Sequence, residues 1–102
     1  MLVVLTTVPD EAEGTALAEQ LVERGLAACA QLLPKMTSFY MWDGAMQRDP
    51  EHLMLIKTTS EKWEPVRKFL TEHHSYTVPE IVAIEAEQVS APYNEWIRAV
   101  VG

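Results

Sequence analysis

The segment from Cys29 to Thr58 constrains this chain more than any other. At its centre, Thr37-Ser38-Phe39-Tyr40-Met41-Trp42 is followed by Asp43-Gly44, then by Ala45 onward to Leu53-Met54-Leu55-Ile56-Lys57-Thr58. Aromatic and β-branched residues on both sides of an Asp-Gly pair are the strongest local signal for a β-hairpin, because Asp and Gly tolerate the positive φ angles of a tight primed turn. Arms of about 14 residues reach roughly 46 Å, whereas a chain of this size collapses to a radius of gyration of about 13 Å. The hairpin must bend, project from the body, or both. Pro34 supplies a bend or bulge, since it cannot donate to a ladder in mid-strand. Near the turn Ser38, Tyr40 and Trp42 point one way and Phe39 and Met41 the other, so both faces carry large apolar groups. A projecting hairpin with such faces and open edges needs covering, most simply by another chain. The first expectation is assembly through this hairpin.

The remainder bounds the class. A chain of 102 residues makes one domain, residues 1–102, large enough to bury a core unaided. The formal charge is −7, and the eight Lys and Arg residues form no cluster. Nucleic-acid backbones want a basic face, so no nucleic-acid partner is expected. No run approaches membrane-spanning length, so no membrane partner is expected either. Met1 to Thr7 lacks the basic start of a signal sequence, and the expected location is the cytoplasm. Cys29 cannot form an internal disulfide, and its apolar neighbours point to an inert core thiol.

Taken in order, Leu2 to Thr7 is an apolar run without alternation, as in a strand buried on both faces. Pro9 stops it, and Asp10 with Glu13 three residues on forms a capping-box pattern for a helix carrying Leu17, Leu21, Val22 and Gly25 on one side. After the hairpin, Thr59-Ser60 offers a second cap, and Trp63, Val66, Leu70 and His73 make the stripe of a second helix, with Pro65 in its first turn. Glu80 to Ala86 is a strand whose apolar middle predicts a central place in the sheet. Ser90-Ala91-Pro92 opens a last helix with Tyr93, Trp96, Ile97 and Val100 inward. The order predicts an α+β fold, the ferredoxin-like β-α-β-β-α-β arrangement with one antiparallel sheet, an added C-terminal helix and a long hairpin.

Most enzyme constellations are absent. No glycine-rich phosphate loop follows the first strand, where Asp10 would repel phosphate; no serine elbow occurs. His73-His74 is the metal candidate, because imidazole suits copper and zinc. Adjacent helical residues point about 100° apart, so the pair suits one ion only if the helix ends between them; a histidine doublet at a helix C-terminus also suits the dipole with no ligand. Lys57 ends one apolar strand and Glu80 opens another. If those ends meet, Lys57, Glu80, Tyr76, Trp42 and Tyr40 share a small-ligand cleft; otherwise the two charges are a structural pair.

Several motifs then agree. Thr6-Thr7-Val8-Pro9-Asp10, Leu26-Ala27-Ala28-Cys29, Leu33-Pro34, Thr37 to Gly44, Leu55-Ile56-Lys57-Thr58, Tyr76-Thr77-Val78-Pro79-Glu80-Ile81 and Tyr93-Asn94-Glu95-Trp96-Ile97 fall in the order and spacing of the CutA divalent-cation tolerance family, across essentially the whole chain. The resemblance implies a ferredoxin-like homotrimer whose hairpins pair between subunits and a link to tolerance of divalent metals, copper above all. It implies copper ligands at His73 and His74. A further family ligand, a cysteine, is Thr6 here, and Ser75 stands where proline commonly follows the histidines. It also implies an inter-subunit cleft of Trp42, Lys57, Tyr76 and Glu80. The expected protein is thus a non-enzymatic homotrimer with divalent metal ions as partners, copper or another divalent cation as a weak ligand, and no cofactor needed for folding. Its rivals are a trimer resembling the PII signalling proteins, with a small metabolite in its clefts, and a scaffold with no ligand.

Overall fold

The computed structural model describes all 102 residues. Strand β1 (Leu2–Val8) leads into helix α1 (Glu11–Glu23); β2 (Cys29–Leu32), β3 (Met36–Trp42) and β4 (Ala45–Thr58) form the hairpin region. A short 3₁₀ turn at Ser60–Lys62 precedes α2 (Trp63–His73), and β5 (Val82–Glu85) and α3 (Ala91–Val101) complete the chain. The result is a mixed α+β fold with five antiparallel-paired strands in the order β2-β4-β1-β5, β3 pairing with β4 farther along the same strand.

The turn follows from its two residues. Asp43 has φ 51° and Gly44 φ 75°, the pair of positive angles a type I′ turn requires, and Trp42 faces Ala45 across it. The first arm is not one strand. Leu32 pairs with Met54, but Met36 pairs with Glu51, so one extra residue is inserted around Pro34. That is a β-bulge, placed where proline has no N–H to give. Leu33 still donates to Leu53 (2.9 Å), and the His52 ring donates Nδ1–H to the Leu33 carbonyl at 2.9 Å, stitching the break. The molecule stretches to 45 Å along its long axis with a radius of gyration of 14.2 Å.

Alternation along the strands sorts the core. Val4 and Val8 of β1 and Met54 and Ile56 of β4 turn toward Leu17 and Leu21 of α1 and Val66, Phe69 and Leu70 of α2, all buried in one cluster. Asp10 caps α1, accepting from the Glu13 N–H at 2.8 Å. The capping box stays half made, because Glu13 turns its carboxylate away to the Ser75 N–H, 3.1 Å distant. Gly14, not Val22, completes the inner stripe of α1; Val22 is exposed. A Cβ on Gly14 would meet Leu32 Cδ1 at 2.6 Å, so this helix face lies against β2.

The other face of the sheet carries Val3, Leu5, Leu53, Leu55, Val82 and Ile84 by the same alternation. Helix α3 covers one end of it: Ile97 and Val101 pack on Ala28 with Met1 and Tyr93, and Lys57 Nζ lies 5.6 Å from the Tyr93 ring centre. Trp96 and Val100, expected inward, face solvent; Ile97 is buried as expected, and Val101 rather than Val100 continues its stripe. β5 is an edge strand rather than a central one. Its apolar run does not mark burial between two strands, for Val82 and Ile84 are 46% and 52% exposed on the face opposite α1 and α2.

Candidate functional site

The segment leaving α2 builds the site. The helix ends between the two histidines: His73 is its last residue, and His74 turns to an extended conformation with φ −78° and ψ 142°. That turn sends the rings to different places. His73 lies on the surface, its Nδ1 donating to the Phe69 carbonyl at 2.9 Å and its ring stacked on Phe69 at 4.3 Å. The His74 side chain is wholly buried. Its Nε2 lies 2.8 Å from the Thr7 carbonyl, which only accepts, so Nε2 carries the proton. Its Nδ1 accepts the Tyr76 N–H at 3.1 Å. Both ring nitrogens of His74 are committed, and neither offers a lone pair to an ion. Only Nε2 of His73 remains, and no three His, Cys, Asp or Glu side chains converge elsewhere. The doublet does not fit a two-imidazole metal site. Thr6, at the position where the family resemblance implied a soft ligand, is buried in the core with its hydroxyl unpartnered.

From His74 the chain runs over the end of β1 and along the face of the sheet opposite α1 and α2. Tyr76 reaches β4 there, its hydroxyl donating to Glu51 Oε2 at 2.8 Å. Between this segment and the first arm of the hairpin lies a cavity of about 780 Å³. Its walls are Ser75 to Glu80 on one side and Met36, Ser38, Phe39, Tyr40 and Trp42 on the other, with Thr7, Glu51 and Leu53 at the base. No lysine, arginine or histidine lines it. Glu51 is only 8% exposed. Burial, the Glu51 hydrogen bond and the Glu51 charge, in that order, push the Tyr76 hydroxyl well above the ordinary tyrosine range. The Tyr40 hydroxyl is raised too, chiefly because it donates to Asp49.

Trp42, Tyr76 and Glu80 therefore line one cavity. Lys57 does not join them within the chain. β4 and β5 both run antiparallel to β1, so they run parallel to each other, and the end of β4 lies beside the end of β5, not its start. Lys57 pairs with Val3, whose other neighbour is Ile84; Glu80 precedes Val82, which pairs with Leu5. Lys57 faces Tyr93 instead. Cys29, opposite Lys57, is half-buried with no acid or base hydrogen-bonded to it. The acid at the base of the cleft, Glu51, was missed from sequence. Its signal was there: it continues the odd-numbered Leu53-Leu55 face of β4, where a carboxylate needs a partner.

The family model of the CutA1 divalent ion tolerance protein matches residues 2–100. The chain belongs to the CutA family. It is 41% identical over 100 residues to the divalent-cation tolerance protein CutA of Thermus thermophilus, covering 98% of this chain and 97% of that protein. It is 40% identical over 94 residues to human protein CutA, covering 92% of this chain but only 52% of the human protein; it thus spans nearly all of one CutA relative and about half of another. Among solved CutA structures, that of the Archaeoglobus fulgidus periplasmic divalent cation tolerance protein superposes with a TM-score of 0.96 at 35% identity, covering 100% of both chains. The Thermus thermophilus structure gives 0.95 at 41% identity, again over 100% of both.

Proposed function

We propose that this chain serves divalent-cation tolerance by binding rather than catalysis, as a cytoplasmic homotrimer of ferredoxin-like subunits that takes up divalent ions, copper among them, weakly. His73 carries the proposal for direct metal contact: its exposed Nε2 is the one nitrogen of the doublet without a protein partner. A lone neutral imidazole suits copper but holds it loosely, water supplying the remaining ligands. The trimer is supported by the uncovered apolar face of β1, β4 and β5 and by the hairpin, whose Phe39, Met41, Trp42 and Met46 are all more than half exposed. The non-catalytic reading is supported by the one thiol, Cys29, lying at the far end of β4 from the cleft.

Light scattering should give three chains per particle. Calorimetric titration of metal-free protein with copper(II) should show weak binding that His73→Ala abolishes and that a folded His74→Asn variant retains. Strong binding lost in both variants would place the ion on the doublet and refute the assignment to His73. Fractionation of the source cells with an epitope-tagged chain tests the location: recovery outside the cytoplasm would refute that part.

A further inference from the structure

Of the copper ligands that the family resemblance implies, two do not fit this chain, and one of them is tied to another task. Thr6 offers a neutral hydroxyl sealed in the core, where a soft metal wants thiolate or thioether. His74 has no nitrogen to give. Both of its partners are backbone groups, and each acts in one sense only: the Thr7 carbonyl accepts and the Tyr76 N–H donates. They fix the tautomer without the help of any side chain. An ion at Nδ1 would strip the Tyr76 N–H of its acceptor. An ion at Nε2 would displace the proton that serves the Thr7 carbonyl. Either exchange leaves a backbone group without its partner.

The residues around the ring show what it holds. The His74 N–H still donates to the Leu70 carbonyl of α2 at 2.9 Å. From there His74 ties the chain to β1 through Thr7, and Ser75 ties it to α1 through the Glu13 carboxylate. Tyr76 then ties it to β4 through Glu51. Three consecutive residues reach three different elements. The His74 ring joins two of these links, because it bonds Thr7 on one side and the Tyr76 backbone on the other. Glu13 Oε2 lies 3.6 Å from Nδ1, beyond hydrogen-bond reach, and serves Ser75 instead. Ser75 to Glu80 contains no helix or strand, so no backbone ladder holds this wall of the cleft. We propose that His74 is a positioning residue and not a metal ligand: its Nε2–H tautomer tethers the Ser75–Glu80 segment to β1 and so sets Tyr76 against Glu51. A substitution at His74 then disturbs the cleft wall rather than a metal site. The role stands whether or not His73 takes up an ion.

The test is nitrogen NMR of the histidine rings in the intact protein, before and after addition of zinc(II), a diamagnetic divalent ion. His74 should show a protonated Nε2, its proton exchanging slowly with water, and an unprotonated Nδ1. Excess zinc(II) should leave both signals where they are. Amide exchange supplies the second arm. His74→Phe keeps a ring in the space but makes neither hydrogen bond, so the Tyr76 amide should exchange at least about tenfold faster, while the Leu17 and Leu21 amides of α1 keep their protection. His74→Asn, whose amide oxygen can accept from Tyr76, should restore part of that protection. If the variants misfold by circular dichroism, the ring spectrum of the unaltered protein carries the test alone. A proton on Nδ1, a zinc-induced shift at either His74 nitrogen, or Tyr76 exchange unchanged in a folded His74→Phe variant would each overturn the proposal.

Discussion

Replacing His74 with alanine removes a side chain that no solvent reaches. Three groups lose something. The Thr7 carbonyl loses its bond from Nε2–H (2.8 Å), the Tyr76 N–H loses its acceptor at 3.1 Å, and the ring leaves the place where it packed 4.9 Å from Tyr76. A buried polar group stripped of its partner costs about 1–3 kcal/mol. Two such groups near the low end, since water can enter from the adjacent cleft, and roughly 1–2 kcal/mol for the vacated ring volume sum to about 3–5 kcal/mol. His73→Ala removes an exposed ring whose acceptor, the Phe69 carbonyl, also serves the helix ladder and stays satisfied. Its loss is the stacking on Phe69, offset by the better helix propensity of alanine, for a net cost of no more than about 1 kcal/mol. Two adjacent histidines should thus differ several-fold in their effect on stability. Urea denaturation followed by circular dichroism measures it, at one fixed protein concentration because assembly couples stability to concentration. His74→Asn should recover about a third of the loss, its amide oxygen standing near Nδ1 to accept from Tyr76. Equal costs at the two positions, or less than about 1 kcal/mol for His74→Ala, would refute the tautomer and the two hydrogen bonds assigned to the His74 ring.

Four further outcomes follow from the same geometry. Thr6→Val should raise stability by about 1 kcal/mol, because the Thr6 hydroxyl is the one buried side-chain polar atom without a partner; a loss of stability in urea would mean that the hydroxyl is satisfied. The Tyr76 hydroxyl is raised above the unfolded tyrosine value of about 10, so its contribution is complete below that pH and is lost as pH rises beyond it; absorbance titration should show phenolate forming later in folded than in unfolded protein, and Tyr76→Phe should remove the latest phase. Gly44→Ala, at φ 75°, should cost about 1–2 kcal/mol, read as faster amide exchange at Trp42 and Ala45; unchanged exchange would refute the strain. Ile84→Lys, on the open face of β5, should lower the particle mass in light scattering; an unchanged mass would show that copies do not cover that face.

Where chemistry is local, the residues announced the structure. Asp43-Gly44 dictated the turn, Asp10 the cap of α1 and Pro34 the bulge, because each depends on one residue's own φ, side-chain acceptor or missing N–H. What the residues left open concerns direction. Lys57 and Glu80 both stand at strand ends, and sequence does not say whether the two strands run parallel or antiparallel. That choice is made by β1, which separates them and pairs antiparallel with each, leaving the lysine at the far end. The two histidines part for a related reason. The helix does end between them, as a shared ion would need, but leaving the helix swings His74 inward to the Thr7 carbonyl rather than alongside His73. β5 shows the remaining limit: Val82 and Ile84 read as core, and the chain alone leaves them about half exposed. An apolar run records that a surface must be covered, not by which chain. The same holds for the cleft, where Glu51 continues an otherwise apolar face of β4 and only Tyr76, 25 residues away, accounts for one of its two oxygens.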